Sequence, residues 1–229
     1  MESIQSNHNK TKEQLALEYI SKHKLKEAKE IYQDLVNDNS MNHEVFSNLA
    51  AIYWSEGCQD KSLPLLQRAL ELKPDYPEAL YNLGLCFIHK NNLFKAIDLF
   101  ENALKIRPNY SDCLNRLISS LNIIGSQLLE KNDCSRAIEI FRKILNYLPD
   151  SSDAICNLGN AYMINKEFNI AKKYFKSALK INPKHSFSLN NLGTLYKHQG
   201  DIDLAIFFFK KAQDTDPEFS DSYYNLGNT

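Results

Sequence analysis

The residues best suited to chemistry are six histidines (His8, His23, His43, His89, His185, His198) and five cysteines (Cys58, Cys86, Cys113, Cys134, Cys156). A zinc site or an activated nucleophile needs such groups clustered. On a helix, ligand histidines fall at i and i+4, as in H-E-x-x-H, and thiolate ligands recur as C-x-x-C. Neither spacing occurs, and the odd, scattered cysteines read as reduced thiols of a cytoplasmic protein. Phosphate binding would need G-x-x-x-x-G-K-[ST] or G-x-G-x-x-G, and a nucleophilic serine a turn such as G-x-S-x-G. The sequence has none of these, and no cysteine is placed against a histidine in a way that argues for a nucleophile. The expectation is a segment that is not an enzyme and that uses no metal and no cofactor.

Charge narrows the partners. With 27 basic and 28 acidic side chains the net charge is −1, which lacks the electrostatic footprint of a nucleic-acid binder. No apolar run approaches the roughly 18 residues of a membrane span. The opening MESIQSNHNKTKEQ lacks the apolar core of a secretion signal. We therefore expect a cytoplasmic protein with neither a nucleic-acid nor a membrane partner. Its 43% apolar content is ample for a sizeable core.

The elements that position the remaining side chains are marked by proline and glycine. Pro74 and Pro108 lie 34 residues apart, as do Pro149 and Pro183, and Pro183 and Pro217; Pro108 and Pro149 are 41 apart, one period plus 7. A fixed interval of this size is the mark of a repeat array. Placing each of these prolines at position 32 gives units at 9–42, 43–76, 77–110, 118–151, 152–185 and 186–219. Residues 1–8 form a leader, 111–117 an insertion, and 220–229 the start of a seventh unit. All seven glycines then fall at position 8 (Gly84, Gly125, Gly159, Gly193, Gly227) or position 15 (Gly57, Gly200).

Apolar residues at positions 4, 7 and 11 form one helical stripe, and those at 17, 20, 21, 24, 27 and 28 a second, ended by the proline. Small residues at 8 and 20 let the two helices approach closely, and aromatics at 11 and 24 fill the wedges between pairs. One hairpin cannot bury both of its faces, so the pairs must stack. Lys12 and Ser40 make the first unit more polar, which suits a capping unit. Pro64, at position 22, is expected to bend the start of its helix. Residues 111–131 read as one long first helix, extended by about 10 Å. That extension is either a docking edge exposing Leu114 and Leu117 or a segment lying over the preceding loop. No polar helix follows Ile206 and Phe208, so the chain reads as a piece of a longer protein that could self-associate through its last unit.

Stretches such as ALYNLGLCFIHKNNLFKAIDLFENALKIRPNY and SLNNLGTLYKHQGDIDLAIFFFKKAQDTDPEF resemble the tetratricopeptide repeat family, and the resemblance covers residues 9–229. It implies an all-α, right-handed superhelical solenoid of antiparallel helix-turn-helix units, a scaffold whose concave groove binds protein or peptide. The groove is lined by positions 2, 5, 6, 9, 12 and 13 of the first helices. Position 6 carries Asn48, Asn82, Asn157, Asn191 and Asn225; Ile123 breaks the series in the fourth unit, where Asn122 stands beside it. An asparagine amide both donates and accepts, so a row of them can hold a peptide backbone whatever its side chains.

A similar ladder lines the superhelical arm of O-linked N-acetylglucosamine transferases. That likeness implies peptide-binding roles for Asn48, Asn82, Asn157, Asn191 and Asn225, with Asn122 as a partial substitute in the fourth unit, and an alternative function as the substrate-recruiting arm of a larger, glycosyltransferase-like enzyme. Asn160, at position 9, is a further peptide-binding candidate on the concave face. Asparagine at position 6 is also common in such repeats without any ligand role, so both readings stand. Trp54, Tyr81, Phe187 and Tyr224 face inward either as anchors for a bound segment or as packing against adjacent helices. His89 and His198 share position 13 as solvated groove residues. The clamp that related domains use for acidic chaperone termini is absent: Glu13 and Leu17, then Ser47 and Ala51, then Tyr81 and Leu85 stand where it would need lysine and asparagine.

Overall fold

The computed structural model describes residues 2–229, with side chains from Thr11 onward; the expected leader, residues 1–8, lies outside the residues whose side chains are described. Among the described residues all regular structure is helical. The helices are α1 (Glu2–Ser21), α2 (Leu25–Asn37), α3 (His43–Ser55), α4 (Gln59–Leu72), α5 (Pro77–His89), α6 (Leu93–Ile106), α7 (Ser111–Glu130), α8 (Cys134–Tyr147), α9 (Ser152–Ile164), α10 (Phe168–Ile181), α11 (Ser186–His198), α12 (Ile202–Thr215) and α13 (Ser220–Gly227).

The turn within each pair follows from one backbone device. Position 15 is left-handed in all six units: His23, Gly57, Asn91, Asn132, Lys166 and Gly200 have φ between 57° and 79°. The next residue then sends its N–H back to the carbonyl at position 11, as in Cys58 to Tyr53 at 2.8 Å and Glu167 to Tyr162 at 2.9 Å. This is the Schellman closure of a helix end. Glycine marks the device in only two units. Second helices then start on side-chain caps where the sequence supplies them: Asn92 accepts from Lys95 N–H, Asp133 from Arg136 N–H and Asp201 from Leu204 N–H.

The chain divides into two compact parts, residues 1–120 and 121–229. In the first, each helix from α1 to α6 packs on its neighbour in sequence, and α3 also meets α5. In the second, α8 to α13 pack in the same way, with α9 meeting α11 and α11 meeting α13. First helices thus form an inner row in each part, and the fold is of the α–α solenoid class. Its core is the pairing of a small residue with a ring. Phe100, Phe141, Phe175 and Phe209 are fully buried, and a Cβ added to Gly84, Gly125, Gly159 or Gly193 would lie 2.4–2.7 Å from the corresponding ring.

The division between the parts falls inside α7, after Ser120. Within the first part, Cys113 and Leu117 are fully buried, Leu114 is half-buried, and the Cys113 thiol donates to the Phe100 carbonyl at 3.4 Å. The exposed docking edge is therefore excluded: the early turns of α7 lie on α6. The reason is helical arithmetic. Seven residues fall about 20° short of two full turns, so the added turns continue the same apolar stripe.

Candidate functional site

The inner row carries the groove residues, and each part presents its own set. In the first part Asn48 is half-buried on α3 and donates from Nδ2 to the Tyr32 hydroxyl at 3.0 Å. Asn82, half-buried on α5, has no hydrogen-bond partner among the described residues and borders a cavity of about 70 Å³ with Trp54 and Ala51. The Trp54 ring is edge-on to His89, with centroids 6.2 Å apart. Tyr81 packs against Tyr110 at 5.1 Å and Phe100 at 5.9 Å, and borders a polar hollow of about 350 Å³ with Asp112, Asn115, Arg116 and Ser119.

In the second part the asparagines are joined across units. Asn157 Nδ2 donates to Asn122 Oδ1 at 3.2 Å, Asn191 Nδ2 to Cys156 Sγ at 3.6 Å, and Asn225 Nδ2 to Asn190 Oδ1 at 3.0 Å. Each bond spans 35 residues, from position 6 of one unit to position 5 of the unit before. One N–H of each amide is thereby committed inside the protein, and the Oδ1 atoms of Asn157, Asn191 and Asn225 have no hydrogen-bond partner among the described residues. Ile123 interrupts the row with an apolar side chain that is 46% exposed. Asn160 is half-buried with no hydrogen-bond partner among the described residues. Tyr224 is 73% exposed, whereas Phe187 lies edge-on against Phe219 at 4.7 Å.

One arrangement resembles catalytic machinery that sequence spacing does not reveal. His185 Nε2 lies 2.9 Å from Asp153 Oδ1, and its Nδ1 lies 2.8 Å from Ser188 Oγ. The backbone N–H of Ser188 also points at Nδ1, at 3.3 Å, which fixes Nδ1 as the acceptor and places the ring proton on Nε2, toward Asp153. The imidazole is thus the N-cap of α11, where serine or asparagine is usual. Ser188 is fully buried, so its hydroxyl reaches no substrate. Burial likewise pushes the Cys156 thiol up to about 11, against hydrogen bonds from Ser188 and Asn191 that lower it. Desolvation drives Cys86 to about 11 and Cys113 to about 12. Protonated thiols are poor nucleophiles and poor metal ligands. Among the described residues no group of three or more His, Cys, Asp or Glu could hold a metal ion, and no helix is long and apolar enough to cross a membrane.

Models of the tetratricopeptide repeat match residues 43–76, 60–111, 152–185 and 174–207. The chain carries tetratricopeptide repeats. Over 64 residues, 27% of its length, the repeat chain is 39% identical to the photosystem I assembly protein Ycf3 of Prochlorococcus marinus, and 38% identical to the same protein of Prochlorococcus marinus subsp. pastoris. It spans 37% of the length of these relatives. Among solved structures, its repeats superpose on YrrB, described as a TPR protein with an unusual peptide-binding site, with a TM-score of 0.57 at 19% identity; 84% of this chain and 96% of that one are covered. MamA from Desulfovibrio magneticus RS-1 gives a TM-score of 0.53 at 19% identity, covering 77% of this chain and 96% of MamA. These likenesses define the tetratricopeptide fold.

Proposed function

We propose that this chain is a cytoplasmic protein–protein interaction module that binds extended peptide or protein segments along the row of first helices. The proposed units keep the boundaries set by the prolines, at 9–42, 43–76, 77–110, 118–151, 152–185 and 186–219. The observation that carries the reading is the anchoring of the asparagine amides in α9, α11 and α13. Each donates one N–H to the preceding unit, which leaves its Oδ1, with no partner among the described residues, as an acceptor for the backbone N–H groups of a ligand. Packed helices sit about 8–10 Å apart and an extended chain advances about 3.4 Å per residue, so one acceptor serves about every third residue of a ligand. Each such bond adds about 0.5–1.5 kcal/mol, which gives modest and sequence-tolerant affinity.

A relative named as an assembly protein and a neighbour described by its peptide-binding site support a holding role. They favour an adaptor role over that of a glycosyltransferase's recruiting arm. The test is the double substitution Asn157→Ala with Asn191→Ala, read on an array of immobilised extended peptides. Retention should fall about tenfold while helicity and melting temperature stay close to those of the parent chain. Unchanged retention discards the ladder.

A further inference from the structure

Position 24 carries a buried aromatic ring in five of the six units, and leucine, Leu66, in the second. Where the ring is phenylalanine, position 8 is glycine, and the ring fills the space above it so closely that a Cβ would lie 2.4–2.7 Å away. In the second unit Leu66 faces Ala50 instead. The alanine methyl does not replace the outer edge of a phenyl ring. What is left is a pocket of about 70 Å³ lined by Ala50, Ala51, Trp54, Ser62, Leu66 and Asn82.

The inner wall is Ala50, Ser62 and Leu66, each at most 1% exposed. Ser62 Oγ–H is committed to the Ala50 carbonyl at 2.8 Å, so this wall offers no free donor. The outer wall is Ala51, Trp54 and Asn82, at positions 9, 12 and 6 of the inner row and open or half-open to solvent. The pocket therefore leads from the groove into an apolar recess beside an amide that has no hydrogen-bond partner among the described residues. A water molecule occupies about 30 Å³ of the liquid and needs polar partners, so a recess of this size and lining favours a methyl or isopropyl group. A phenyl ring is too large for it.

We propose that this pocket is the anchor site of the groove, taking an alanine or valine side chain of the bound segment while the Asn82 amide pairs with the backbone beside it. The proposal rests on the groove-binding reading above and names the side-chain class that this part of the groove selects. The other four glycine–phenylalanine units offer no equivalent recess, because the ring occupies it.

The experiment fills the pocket with the protein's own solution. Ala50→Gly with Leu66→Phe reproduces the pair found in four other units, and circular dichroism and melting verify the fold. Both proteins are applied to an array of immobilised random peptides in which one position is fixed in turn as Gly, Ala, Val, Leu or Phe. The parent chain should retain the Ala- and Val-fixed peptides about tenfold better than the Gly- or Phe-fixed ones, and the filled variant should bind the array without that preference. The same preference in both proteins overturns the pocket and leaves the groove reading standing. No retention by either protein overturns both. Methyl NMR of the parent chain under xenon pressure is independent of the variant's folding: the Ala50 and Leu66 signals should shift saturably, and unmoved signals overturn the pocket.

Discussion

Gly193 lies directly against the ring of Phe209: a Cβ built on the glycine would stand 2.5 Å from the ring's Cε1 atom. Alanine is the better helix former, by about 1 kcal/mol. Here contact outweighs propensity, because the fully buried ring has no room to withdraw. Gly193→Ala should destabilise the protein by about 1–3 kcal/mol, read as a lower urea midpoint by circular dichroism. Adding Phe209→Leu should recover part of the loss, since Ala50 and Leu66 already coexist in the second unit. A stabilised Gly193→Ala protein would show that the close approach is not limiting.

The turn at position 15 favours glycine for a different reason. Lys166 sits at φ 62° and Gly200 at φ 79° in equivalent turns, and nothing lies within 4 Å of a Cβ added to Gly200. The cost of a side chain there is thus purely conformational, about 1–2 kcal/mol. Lys166→Gly should raise the melting temperature and Gly200→Ala should lower it. Equal melting temperatures would contradict the left-handed assignment.

The aspartate–histidine–serine chain is structural. Ser188 should not react with a fluorophosphonate serine probe in the folded protein, because it is fully buried. His185→Ala should cost about 1 kcal/mol through loss of the α11 cap, and His185→Ser should restore most of it. Labelling of Ser188 in the native state would overturn this assignment.

Thiol accessibility separates the cysteines. Cys58 is half-buried and should react quickly with a disulfide reagent, whereas Cys86, Cys113, Cys134 and Cys156 are buried and should react only on unfolding. The shifted thiols also set an alkaline limit. Burial raises Cys113 to about 12 in the folded state from 9.0, so its contribution to stability is complete below about pH 9. It is lost as pH rises toward 12, because the unfolded chain releases the proton first. The alkaline fall in melting temperature should be shallower in Cys113→Ala than in the parent; identical falls would refute the shift.

Asn190 and Asn191 are neighbours with different duties. Asn190 is 6% exposed and accepts from Asn225, while Asn191 is half-buried and donates to the Cys156 sulfur. Asn190→Ala leaves the Asn225 amide without its partner and should destabilise by about 1–2 kcal/mol, whereas Asn191→Ala should have the smaller effect on urea denaturation. The reverse order would mean that the two amides exchange roles.

The 34-residue interval, the two stripes per unit and the glycine–phenylalanine pairing are all visible in the sequence, because each depends on local periodicity and on side-chain size at a fixed register. Even the pocket has a trace there, since Leu66 is the one aliphatic residue among the position-24 rings. Other features carry no such trace. Lys166 and His23 take the left-handed turn without glycine because the helix closure imposes it. Leu117 is buried, not offered as an edge, because two added turns return almost to the same face of α7 and lie on α6. His185 meets Asp153, and Asn225 meets Asn190, because packing brings together atoms from helices about one unit apart. Which residues form helices and which faces they bury can be read from the order of residues, since those follow from short-range steric and hydrophobic rules. Which donor meets which acceptor emerges with the packed fold, because that depends on how helices about 34 residues apart are placed, to within the ångström that a hydrogen bond requires.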